Sequence, residues 1–265
     1  MKPVRLTIAA LSALVVCAAA SPVRAASPAG KGLAIIEESD RRDAGFGDVS
    51  AAVTMILRNR QGQESRREFR FSSLEVEDDG DKTLIVFETP PDIQSTALLT
   101  FTHKSGSDDQ WLYLPALKRV KRIAASNKSG SFVGSEFAYE DMTSQEVEKY
   151  TYRYLRNESC GALDCFVVER TPVDRKSGYS RQVVWLDTDD YRFQKVEYFD
   201  RRGDLLKMLT FDGYRQYLGR YWRAAMMNMV NHQTGKSTVL EWRDYKFRSG
   251  LGDSDFSRAR LKRLK

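Results

Sequence analysis

The chain has 265 residues, with 42 lysines and arginines against 36 aspartates and glutamates, two histidines and three cysteines, for a formal charge of +6. Loss of residues 1–25 would remove Lys2, Arg5 and Arg24, leaving 39 basic against 36 acidic residues and a charge of +3, too small a bias for nucleic-acid binding. His103 and His232 each lack a second ligand nearby in sequence, and no G-x-S-x-G elbow or glycine-rich phosphate loop occurs. No metal, cofactor or catalytic residue is therefore assigned.

Lys2 and Arg5 precede a run from Leu6 to Ala20 that is apolar apart from Thr7 and Ser12, and Val23-Arg24-Ala25 follows. This is the pattern of a secretory signal peptide cleaved near Ala25, so residues 26–265 are expected in the periplasm as a single domain. Cys17 does not read as a lipidation site, because Val16 stands where a small residue should precede the cysteine.

From Lys31 to about Asp43, Leu33, Ile35 and Ile36 alternate with charged residues as in an amphipathic helix. After Gly45 and Gly47 the period becomes two. Strands are expected over Val49–Arg58, Arg66–Val76, Thr83–Glu88, Ala97–His103, Gln110–Leu114 and Arg119–Ile123. After a loop come Val147–Arg156, Cys165–Thr171, Gln182–Leu186, Phe193–Phe199, Leu205–Tyr214, Trp222–Asn231 and Ser237–Phe247. Turn signals such as Asn59-Arg60-Gln61-Gly62 and Arg201-Arg202-Gly203-Asp204 separate them, the rhythm of an antiparallel meander. Asp78-Asp79-Gly80-Asp81 reads as a hairpin turn, since the bidentate glutamate of a calcium loop is missing.

The segment Gln110–Met142 carries the most information. Its opening strand points Trp111 and Tyr113 one way and Leu112 and Leu114 the other, and Pro115 ends it. Lys118, Arg119, Lys121 and Arg122 surround Val120, suited either to anionic head groups or an acidic partner, or to guarding a sheet edge. Gly130 and Gly134 then bracket Phe132 and Val133 like hinges, and Phe137, Tyr139 and Met142 follow. Such side chains need cover. Either they fold back onto the core, or they form a movable lid over an apolar cavity. Glu136 and Glu140 are expected to solvate the outside of this loop.

The run WLYLPALKRVKRI, then GSFVGSEFAYEDM, then a tyrosine-rich strand resembles the bacterial outer-membrane lipoprotein-sorting protein family, with its LolA/LolB-like fold. The resemblance extends over most of the mature chain. It implies a curled antiparallel sheet forming an unclosed half-barrel, with helices covering the concave face. It also implies a carrier of lipid or lipid-modified protein, with an inner-membrane exporter of the resistance-nodulation-division (RND) type as a possible partner. Envelope-stress regulators with a similar fold make a periplasmic sensor or adaptor, bound to a protein partner, the alternative.

Further along, Tyr150, Tyr152 and Tyr154 share one face of their strand, and Met227 and Met229 oppose Met226. Tyrosine hydroxyls suit a ligand's polar end and methionines suit acyl chains of varying shape, although both also serve ordinary cores. Cys160 and Cys165 enclose a short turn and are expected to form a disulfide in an exported protein. Phe256 and Leu261 are expected to point inward from a short capped helix.

The combined expectation is a mainly β, LolA-like half-barrel with a few helices, monomeric, touching membrane surfaces transiently. Its cavity and lid would comprise Trp111, Leu112, Tyr113, Leu114, Phe132, Val133, Phe137, Tyr139, Met142, Tyr150, Tyr152, Tyr154, Met227 and Met229, loosely stoppered and hinged at Gly130 and Gly134.

Overall fold

The computed structural model describes residues 27–264, so the expected signal peptide lies outside the described residues. Helix α1 (Pro28–Asp43) begins where the Ser27 hydroxyl accepts a hydrogen bond from Gly30 N (3.1 Å) and Pro28 supplies a preset φ. It buries Gly32, Ile35 and Ile36.

The strands are β1 (Asp48–Arg58), β2 (Glu64–Leu74), β3 (Lys82–Thr89), β4 (Ala97–Phe101), β5 (Asp109–Leu114) and β6 (Arg119–Arg122). A long crossover over residues 123–149 leads to β7 (Tyr150–Cys160), β8 (Leu163–Pro172), β9 (Tyr179–Asp187), β10 (Phe193–Asp200) and β11 (Leu205–Asp212). Then come β12 (Arg215–Tyr217), β13 (Tyr221–Arg223), β14 (Met226–Asn231), β15 (Ser237–Phe247) and the short helix α2 (Arg258–Leu261).

Thirteen strands form one sheet in the order β6-β5-β4-β3-β2-β1-β15-β14-β11-β10-β9-β8-β7, antiparallel at each junction, while β12 and β13 make a separate hairpin. The edges β6 and β7 do not pair with each other, so the sheet is an unclosed half-barrel, as expected. The crossover runs from one edge to the other. The expected continuous strand Trp222–Asn231 is broken at Ala224-Ala225, because Tyr221–Arg223 turns back onto Arg215–Tyr217. Val147 lies in a 3-10 turn before β7 rather than within it.

Both sheet faces are covered, which decides where inward residues go. On the concave face the main core joins α1 residues Ile35 and Ile36 to Val53, Phe69, Phe87, Val184 and Leu209 from the strands. On the convex face, Phe256 (1 % exposed) and Leu261 (0 %) cover Leu84, Val86 and Leu99.

That convex cover corrects one expectation. Trp111 and Tyr113 pack in the convex cluster with Phe256 and Leu261, and the Arg258 guanidinium lies 5.5 Å from the Trp111 ring. They cannot line a concave cavity, because a two-residue period sends them opposite to Leu112, which pairs with the concave-facing Leu98. Cys160 and Cys165 are joined by a disulfide, with Cα atoms 5.9 Å apart, across the β7–β8 turn.

Edge β7 is shielded by α1, and Gly32 is the point of closest approach. A Cβ there would stand 2.7 Å from Tyr154 N and 3.0 Å from the Arg153 backbone. Helix propensity alone favours alanine over glycine by about 1 kcal/mol. Backbone overlap cannot be relieved by a rotamer, and overpacking costs about 1–3 kcal/mol. Gly32→Ala is therefore expected to lower the melting temperature and loosen α1; a rise in Tm would contradict this packing.

Candidate functional site

The site is the concave face together with the crossover that stops it. Strand register places residues from different strands in rows across this face. One row is polar: Tyr152, Arg170, Gln182, Tyr198, Lys207 and Asn231 pair in succession from β7 to β14. All six are buried, Arg170 at 3 % and Lys207 at 3 % exposure. The next row is apolar: Tyr154, Val168, Val184, Val196, Leu209 and Met229. Tyr150, Tyr152, Tyr154, Met227 and Met229 all belong to the concave core.

The crossover lays its own apolar side chains on this floor. Phe132 is fully buried, its ring 5.8 Å from those of Phe87 and Tyr139, and Phe137 is 3 % exposed. Val133, Tyr139 and Met142 pack against the same cluster. Leu112 and Leu114 are half-buried and outside that cluster.

Polar contacts fasten the crossover, in contrast to the loose stopper expected. Lys207 Nζ donates to Asp141 Oδ2 (2.7 Å) and to the Glu136 carbonyl (2.8 Å), and Tyr179 Oη donates to Asp141 Oδ1 (2.8 Å). Burial, with Asp141 alongside, raises the Tyr179 hydroxyl far above its ordinary range. Arg67 donates to the Val133 carbonyl, and burial lowers the guanidinium from its usual value.

Glu136 and Glu140 do not solvate the outside of the loop. Glu136 accepts from Asn231 Nδ2 (2.7 Å), and Glu140 accepts from Ser177 Oγ (2.7 Å) and Gly178 N (2.8 Å), with burial raising its pKa. These carboxylates fasten the crossover to strand ends.

The hinge residues differ. Gly134 has φ +77°, and Val133 beside it sits at φ 48°, a left-handed conformation strained for a β-branched side chain. Gly130 is not left-handed. Its role is steric, since a Cβ would lie 3.1 Å from the Asn127 carbonyl.

Two openings flank the crossover, and both are lined chiefly by polar residues. One, of about 530 Å³, lies among Phe137, Tyr179, Arg201, Lys207 and Asn231; the other, of about 260 Å³, among Glu64, Glu136, Lys236 and Thr238. The apolar floor itself is occupied by Phe132 and its neighbours. One donor inside is unpaired among the described residues, Trp242 Nε1.

Of the basic run, Lys118, Arg119, Lys121 and Arg122 are exposed at edge β6, next to Leu117 at 56 % exposure. Arg122 is bonded to Asp109. His103 Nδ1 bonds Asp79 (2.6 Å) and so pins the 78–81 turn.

Where the crossover ends, Ser144 donates to Asp81 (3.3 Å), and several protons are held more tightly than usual. Burial, aided by Asp81 and Asp40, lifts Glu146 to about 7, and burial lifts Asp81 to about 6 and raises Asp40. The hydrogen bond to Asp79 raises His103. A group with a raised folded pKa contributes stability below its unfolded pKa and loses it as pH rises through the folded value. All four groups have the same sign, so stability is expected to increase as pH falls from 8 to 5.5. Glu146→Gln should flatten that slope in denaturant melts, whereas a wild-type slope of opposite sign would refute the assignment.

Residues 79–263 match a family model described as that of an uncharacterized protein. The chain is similar to a crystal structure from Vibrio parahaemolyticus described as an outer membrane lipoprotein-sorting protein domain, at 56 % identity and TM-score 0.87, over 89 % of this chain and 100 % of that one. A DUF1329 family protein from Desulfovibrio piger is 30 % identical, at TM-score 0.84 over 89 % of this chain and 99 % of that one. A LolA superfamily protein from Nitrosomonas europaea shares the fold at 22 % identity and TM-score 0.69, over 86 % and 98 %. No curated protein sequence matches the chain.

Proposed function

We propose that this chain, which belongs to the outer-membrane lipoprotein-sorting, LolA-like family, is a periplasmic carrier that takes the acyl chains of a lipid or lipid-modified protein onto its concave face. The observation that carries the reading is an apolar strand floor closed by a crossover tethered at both ends rather than by sheet-to-sheet packing. Each buried methylene is worth about 0.8 kcal/mol, so free acyl chains do not cross an aqueous space. The crossover's Phe132, Val133, Phe137, Tyr139 and Met142 stand where hydrocarbon would sit. Displacing them offsets part of the binding energy and so permits release.

No helix of the described residues is long and apolar enough to cross a membrane. Delivery therefore requires contact with a membrane or a membrane protein, and we assign that contact to exposed Lys118, Arg119 and Lys121 beside Leu117. An RND-type exporter is the proposed donor or acceptor, and the carrier acts as a monomer.

Native mass spectrometry with lipid extraction, on protein isolated from its own periplasm, tests the reading. Bound amphiphile and lipid exchange between vesicles without a partner are expected. A stable protein partner with no amphiphile and no exchange would replace the carrier by an adaptor.

A further inference from the structure

The polar row on the concave face is unusual for a surface whose role is to hold hydrocarbon. It brings two cations, Arg170 and Lys207, into a buried setting, each two positions from an apolar floor residue, Val168 and Leu209. Lys207 has a counter-charge, Asp141, but that carboxylate belongs to the crossover and not to the sheet.

Arg170 has none: among the described residues no carboxylate lies within ion-pair distance. Its Nε donates to Gln182 Oε1 (2.7 Å) and its Nη2 to Gln145 Oε1 (3.0 Å), and the guanidinium rests 4.5 Å from the Tyr150 ring. Gln145, like Asp141, is carried on the crossover, so withdrawing that segment strips Lys207 of both its hydrogen-bond acceptors and Arg170 of one, leaving Arg170 bonded to Gln182 of the sheet.

Burying cations is costly unless an anion meets them. The 530 Å³ opening lined by Tyr179, Lys207 and Asn231 connects solvent to one end of this row, while the apolar row lies directly beyond.

The geometry points to a head-group site: we infer that the cargo is an anionic amphiphile whose phosphate or carboxylate replaces Asp141 on Lys207 and Tyr179, reaches Arg170, and leaves its chains on the apolar floor. Asp141 is thus a built-in stand-in for the head group, and closing the crossover and loading cargo are mutually exclusive. This inference rests on the carrier reading.

The test compares dodecyl phosphate with dodecyl maltoside, which share one chain length, by displacement of a neutral fluorescent probe below micelle-forming concentrations. Wild-type protein should bind the phosphate about tenfold more tightly or better, as expected for charge-assisted hydrogen bonds in a buried site. Arg170→Gln should remove most of that preference, weakening phosphate binding by a larger factor than maltoside binding. Asp141→Asn should tighten phosphate binding by freeing Lys207, and Arg170→Lys should retain part of the preference.

Equal binding of both amphiphiles, unmoved by Arg170→Gln, would overturn the head-group site and leave the carrier reading standing. Binding of neither would overturn both. Inorganic phosphate competing as well as dodecyl phosphate would also overturn it, because the site would then take a free anion rather than a lipid.

Discussion

Phe132→Ala is expected to release the crossover without dissolving the sheet. The ring is fully buried against Phe87 and Tyr139, and removing a buried phenylalanine typically costs about 3–5 kcal/mol. Where that cost appears is what discriminates. If residues 128–142 are a separable plug, the loss is confined to its docking, and local opening caps the apparent penalty. Amide exchange should then quicken in this segment while β1, β2 and β15 stay protected, and uptake of an apolar fluorescent probe should rise. A uniform loss of protection throughout the sheet, with no gain in probe binding, would make the segment an ordinary part of the core.

The second large effect lies at Lys207. Its side chain and that of Asp141 are 4 % and 5 % exposed, 2.7 Å apart. Removing one member of such a pair strands a buried charge and costs about 3–5 kcal/mol, whereas replacing both with apolar groups can be close to neutral. Lys207→Met should therefore be strongly destabilising, and Lys207→Met combined with Asp141→Leu should recover much of the loss. Recovery will be incomplete, since Asp141 also accepts from Tyr179 and from Ala138 N (2.7 Å). Denaturant melts of the two singles and the double close the cycle; simple additivity would mean the two charges are not coupled.

The strands and turns were legible because their signals are local. Alternation located the strands of the main sheet, and Ser237–Phe247 matches the expected span end to end. The break at Ala224-Ala225 was not legible, because Tyr221–Arg223 leaves the strand through a hairpin partner that sequence spacing does not announce. Face was the harder question. With cover on both sides of the sheet, apolar residues appear at odd and even positions alike. Trp111 and Tyr113 were thus indistinguishable from Leu112 and Leu114 until the C-terminal Phe256 and Leu261 were located against them.

The polar row escaped for a different reason. Its members come from six strands, and only register aligns them. A weak signal did exist: Arg170 occupies an inward position two residues after Val168, and Lys207 two residues before Leu209, where alternation calls for an apolar side chain. A cation interrupting an inward series is a better pointer to a binding group than the tyrosine and methionine clusters, which also suit plain packing.

Edges β6 and β7 are consecutive in the chain yet lie at opposite ends of the sheet order, joined by residues 123–149. That cord has a contour of about 90 Å if drawn out fully. It can billow outward but cannot swing free like a flap hinged on one side, so the hollow enlarges by taking up slack while the rims stay leashed to each other. Cutting the backbone between Gln145 and Glu146 would untie the leash. The nicked protein should load readily and lose the restoring pull that expels its load.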